Sequence, residues 1–115
     1  MADNPVVRKH LVFFGVVQGV GFRRRARLAA EAVGAAGWVR NNKIGTVSME
    51  IQGTEAQIDM VLQALENAPR IQIERITSRT MPLENEEGFY RWRDYKAMKQ
   101  AAAEKADGAA SDGKL

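Results

Sequence analysis

The apolar residues of this chain change their period repeatedly over residues 6–95, and that switching limits the fold more than any other feature. "VVRKHLVFFG" (6–15) is rich in valine and phenylalanine and ends at glycine, which predicts a strand buried on at least one face. "GVVQGVG" (15–21) is a loop. In "FRRRARLAAEAVG" (22–34) the period becomes helical: Phe22, Ala26, Ala29 and Val33 share one face, Arg27 and Glu31 are paired at i, i+4, and Gly34 is a stop signal. "GWVRN" (37–41) and "TVSMEIQG" (46–53) read as strands joined by the turn "NKIG", with Val47, Met49 and Ile51 facing inward. "TEAQIDMVLQALENAP" (54–69) reads as a second helix, opened by a Thr54–Gln57 capping box, with Ile58, Val61, Leu62 and Leu65 on its apolar face. "RIQIERITSRTM" (70–81) is a strand, "PLENEEG" a loop, and "FYRWRDY" (89–95) a further short strand at a sheet edge.

The order β-α-β-β-α-β predicts an α+β, ferredoxin-like sandwich: an antiparallel sheet with two helices on one face. The 115 residues suit one domain. From Lys96 onward almost no large apolar residue occurs, so 96–115 reads as a polar tail beyond a domain of residues 1–95. Alanine, lysine and glutamate favour a frayed helix over 96–106, with disorder over 108–115.

Composition removes several chemistries. The chain has no cysteine, which excludes disulfides and thiolate nucleophiles. Its one histidine, His10, sits mid-strand and reads as structural. No cluster of ligand residues has metal-site spacing, and the acidic run "ENEEG" (84–88) reads as a solvated loop. The P-loop string is missing, and Arg24 occupies the third glycine position of a dinucleotide fingerprint begun by Gly19 and Gly21. Net charge is +3, a mild bias toward anionic partners. No run approaches the roughly 18 apolar residues of a membrane span. "MADNPVVRK" lacks the apolar core of a signal peptide, so a cytoplasmic protein is expected.

The surviving signal lies at the first helix start. Thr54 and Glu55 suit the positive end of a helix dipole, whereas Phe22, Arg23, Arg24 and Arg25 place cations there, at about 0.3–1 kcal/mol each. Gly15, Gly19 and Gly21 permit positive φ, so the preceding loop can turn its N–H groups inward as a nest. Two readings stay open on these residues alone. The glycines close a tight turn beside a solvated arginine face, or loop, helix end and one arginine form a phosphate cradle. Asn41 likewise either begins the "NNKIG" turn or faces a site; alternation places Asn42 on the opposite face, and sets Trp38 with Arg40 opposite Asn41.

"GVVQGVGFR" (15–23) followed by "GWVRN" (37–41) resembles the two signature motifs of acylphosphatases. "GTVSMEIQG" (45–53) and the next helix are similar too, and the likeness runs over roughly 6–93. The resemblance implies hydrolysis of acyl phosphates to carboxylate and inorganic phosphate, without metal, cofactor or covalent intermediate. It implies Arg23 as the phosphate-binding arginine and Asn41 as the residue orienting the attacking water. Val16, Val17, Gln18, Gly19, Val20, Gly21 and Phe22 would complete the phosphate loop. The implied partners are a small acyl phosphate and inorganic phosphate as product and competitive ligand, with no nucleic acid or membrane, and a monomeric chain. Ala35 and Ala36, where the family often has a larger apolar residue, and Lys43 and Ile44 in the turn, depart from the pattern. Two alternatives share the topology: a non-catalytic anion-binding domain, and an RNA-binding module. The second is disfavoured because "TVSMEIQG" carries no stacking aromatic.

Overall fold

The structure, a computed structural model, describes residues 4–113, with side chains described through residue 105. It contains β1 (Val6–Val16), α1 (Phe22–Val33), β2 (Ala36–Asn41), β3 (Val47–Thr54), α2 (Glu55–Glu66), β4 (Gln72–Met81), β5 (Phe89–Arg91) and α3 (Trp92–Gly113). The sheet order is β4-β1-β3-β2-β5. The first four strands pair antiparallel. β5 adds to β2 in parallel, so the sheet is mixed rather than wholly antiparallel.

Alternation decides which residues meet α1 and α2. Leu11 and Phe13 of β1, Val39 of β2, and Val47, Met49 and Ile51 of β3 point toward the helices and are buried. Ile58, Val61 and Leu65 of α2 close over them, with Leu62 partly buried. The buried stripe of α1 is Phe22, Ala26 and Ala30, while Ala29 and Val33 lie at its margin. Each large side chain so buried contributes about 1.5–3 kcal/mol. The helix ends follow local rules. Thr54 accepts from the Gln57 amide while Gln57 Oε1 accepts from the Thr54 amide, and Gly34 caps α1 in the left-handed region. Arg27 and Glu31 form no ion pair; Arg27 Nε is buried without a partner.

Three sequence expectations change. First, β1 runs through Gly15, shared between the expected strand and loop, and on to Val16. The β1–β4 register shifts between Phe14 and Gly15, and a Cβ on Gly15 would come within 2.1 Å of the Gln72 carbonyl oxygen. Close backbone approach at a bulge therefore requires this glycine.

Second, the expected strand 89–95 is a strand for only three residues. Trp92 and Tyr95 stand at helical spacing and stack at 5.8 Å, and Trp92 packs on Trp38 at 4.6 Å. Burying those rings on the second face of the sheet favours a helical period from Trp92 onward. α3 then continues to Gly113, through 108–113 where disorder was expected; residues 114–115 lie outside the described residues. Among the described residues, no helix is long and apolar enough to cross a membrane.

Third, "ENEEG" is not simply a solvated loop. Glu86 is only 3% exposed. Arg8, 1% exposed in β1, donates from Nη1 to Glu86 at 2.8 Å and from Nε to Glu50 of β3 at 3.0 Å. Tyr95 Oη donates to Glu86 at 2.8 Å, and Lys99 Nζ lies 3.4 Å from the same carboxylate. Gln52 holds the loop backbone as well, donating to the Glu84 carbonyl and accepting from its amide. Burial pushes the Glu50 carboxyl up, but hydrogen bonds from His10 and Arg8 outweigh it and hold it below the usual range. Its contribution to stability is therefore present at neutral pH and is lost on acidification through that lowered value.

Arg8→Met should lower stability by about 3–5 kcal/mol in urea unfolding, because it removes the buried cation that two carboxylates share. A loss below about 1 kcal/mol would show that water satisfies them instead. Burial and the Glu86 carboxylate push the Tyr95 phenol up to about 12. The stabilisation is intact below the ordinary tyrosine value of about 10 and is lost as pH rises through the folded value. In an alkaline absorbance titration, the component removed by Tyr95→Phe should have its midpoint near 12. A midpoint near 10 for that component would contradict the buried contact.

Candidate active site

β1 ends at Val16, and the chain turns through residues 17–21 into α1. Gly19 and Gly21 have φ of 74° and 79°, and a Cβ on either would meet nothing within 4 Å. Conformation, not space, requires glycine at these two positions. Gly21 is the N-cap, so no side chain caps α1, and its first turn holds no acidic residue. The Gly21 carbonyl accepts from the Arg25 amide at 3.0 Å. Among the described residues, none of the amides Gln18–Arg24 donates to another protein group. A run of free donors thus meets the positive end of a 12-residue helix.

Five of those seven residues border a cavity of about 120 Å³, lined by Val17, Gly19, Gly21, Phe22, Arg23, Arg24, Asn41 and Arg91. It is well below the roughly 300–1,000 Å³ of pockets that enclose drug-sized ligands, and suits a small anionic group. Arg23 and Asn41 are 18 positions apart and come together because β2 runs back beside the start of α1. Asn41 shares the core-facing side of β2 with Val39, while Trp38 and Arg40 take the other side, where the Arg40 guanidinium lies over the Trp38 ring. Asn41 Oδ1 is buried and has no hydrogen-bond partner among the described residues. An acceptor in that state costs about 1–3 kcal/mol unless a ligand or water donates to it. Arg23 makes no ion pair among the described residues.

Three residues of the expected phosphate loop lie off the cavity wall. Val16 is the last residue of β1, paired with Gln72. Val20 packs against the core. Gln18 donates both amide hydrogens to the hairpin, to the Asn42 carbonyl at 2.7 Å and the Thr46 carbonyl at 2.9 Å. Its side chain therefore ties the loop to the strand end that carries Asn41. Asn42 is equally committed: it donates to Thr46 and Ser48 hydroxyls and accepts from Arg40. Asn41, with its free oxygen, is the asparagine available to a ligand.

Two cavity residues were not anticipated. Arg24 follows Arg23 at the mouth and read as surface charge. Arg91 arrives from β5, whose parallel pairing sets it beside Val39. Its Nε is buried and has no partner among the described residues. The available signal was a charged residue in a short aromatic strand, which carries no information about its neighbour. Among the described residues, no three His, Asp or Glu side chains stand together in a way that could hold a metal ion.

Known proteins bear directly on this arrangement. The acylphosphatase family profile matches residues 9–91. An acylphosphatase of Bifidobacterium longum is 38% identical over 82 residues, covering 70% of this chain and 84% of its own. One from Burkholderia lata is 51% identical over 67 residues, covering 58% and 68%. The crystal structure of acylphosphatase from Bacillus subtilis superposes with a TM-score of 0.69 at 29% identity, covering 74% of this chain and 97% of that one. With a match of this extent over both the glycine loop and the Asn41 strand, the chain belongs to the acylphosphatase family and is a hydrolase of that kind.

Proposed function

We propose that the cavity binds the phosphoryl group of an acyl phosphate and positions water to hydrolyse it. The observation that carries this reading is the unpartnered Asn41 Oδ1, which shares one small cavity with Arg23 and the free loop amides. The amides and the Arg23 guanidinium hold the equatorial phosphoryl oxygens, where charge gathers during transfer. A guanidinium can grip two of those oxygens at once. Asn41 Oδ1 accepts a hydrogen bond from the attacking water and orients its oxygen toward phosphorus. The bond from phosphorus to the acyl oxygen breaks as the water oxygen bonds to phosphorus. The acyl group departs as a carboxylate, and the water's proton passes to a phosphate oxygen. The acyl phosphate is already activated, so positioning and electrostatics supply the rate without a strong base. Arg24 and Arg91 add positive potential at the cavity and draw anions to it.

Purified protein should release phosphate from benzoyl phosphate in the presence of EDTA. No release above the uncatalysed rate would overturn the reading. Arg23→Ala should cut kcat/KM at least about 100-fold and raise the inhibition constant for inorganic phosphate. Asn41→Ala should lower kcat by about 100-fold while phosphate inhibition stays close to that of the unaltered chain. An equal loss of phosphate affinity would instead assign Asn41 to the anion cradle.

A further inference from the structure

Beside the phosphate cavity lies a wider basin of about 300 Å³ that shares Arg23, Asn41 and Arg91 with it and adds Val39, Arg40, Trp92 and Arg93. We infer that this basin is a subsite for a carboxylate on the acyl side of the substrate, so that the preferred acyl phosphates carry a second anionic group. The inference rests on the phosphoryl assignment above and specifies the substrate class of that same site.

Four guanidinium groups line the basin, out of 17 lysines and arginines in the whole chain, and no carboxylate lines it. Arg23, Arg40 and Arg91 make no ion pair among the described residues. The carboxylate nearest Arg93 is that of Asp94, 4.0 Å away, and Arg93 is itself 89% exposed. Such a pair contributes little, so the cluster stays strongly positive. Arg40 is held in place before any ligand arrives. Its guanidinium lies 5.1 Å from the Trp92 ring centre, and its Nε donates to Asn42 Oδ1 at 3.2 Å. Arg91 Nε is buried with no acceptor. α3 begins at Trp92, so the positive end of its dipole adds to the same field.

A neutral acyl group would satisfy none of this. It would set hydrocarbon against charged groups. A carboxylate offers acceptors to the guanidiniums and relieves their mutual repulsion. The basin's volume lies at the lower end of the usual ligand range of about 300–1,000 Å³, which suits a short acyl chain.

Calorimetric titration of the full chain with two phosphonates tests the inference without any turnover. ω-Phosphonopentanoate separates phosphorus from a carboxylate by as many atoms as the phosphate of a four-carbon dicarboxylic acid does; pentylphosphonate ends in a methyl group. At low salt the carboxylate compound should bind about tenfold tighter. Arg93→Glu should abolish that preference. Arg79→Glu, the same charge change on exposed β4 at the opposite edge of the sheet, should preserve it. Salt near 1 M, where screening acts within about 3 Å, should reduce it. Equal affinity for the two compounds, or a preference that survives Arg93→Glu, would overturn the inference. Failure to hydrolyse benzoyl phosphate would overturn the functional reading instead, and leaves the binding comparison decisive for the basin.

Discussion

The buried guanidinium of Arg8 organises the half of the molecule that a four-stranded sandwich would not possess. It reaches Glu50 on β3 and Glu86 in the segment after β4, and Glu86 in turn holds Tyr95 of α3. A buried pair of this kind is weak evidence for net stability, because desolvating the charges offsets much of their attraction. Its effect here is geometric. With residues 82–88 pinned across the second face, β5 has one place to go, alongside β2. That placement brings Arg91 to the cavity and starts α3 at its rim. A charge interaction on one face of the sheet thereby completes a site at the end of the other.

The site depends on a deliberate conflict at the start of α1. A helix N-terminus favours anions, yet Arg23, Arg24 and Arg25 follow the glycine cap with no acidic residue among them. The penalty disappears once an anion lies between the amides and the guanidiniums, since each then meets charge of the right sign. Local rules are broken where a ligand is needed to satisfy them.

Much of this was legible in the sequence because it is locally encoded. The period changes mark four strands and two helices; the Thr54–Gln57 box and Gly34 close helix ends through neighbours a few residues away. Arg23 and Asn41 stood out through a loop composition and a family pattern. What escaped depends on distant partners. Glu86 in an acidic run looks solvated until Arg8, 78 positions earlier, is placed against it. Trp92 and Tyr95 follow a strand-like stretch, and only Trp38 opposite them favours the helical period. Gly15 reads as the boundary of strand and loop, and nothing local tells that the Gln72 carbonyl lies where its side chain would be. Arg91 needs a parallel pairing that no local pattern announces.

Gln18 ties the glycine loop to the hairpin that carries Asn41. One side-chain amide spends both its hydrogens on hairpin carbonyls, at Asn42 and Thr46, leaving no donor in reserve. The phosphate loop cannot lift away from the hairpin without breaking both bonds, so loop and strand end move as one body. The exposed tip of the turn, where Ile44 is 84% exposed, is free to vary as long as the two carbonyls that flank it stay in register.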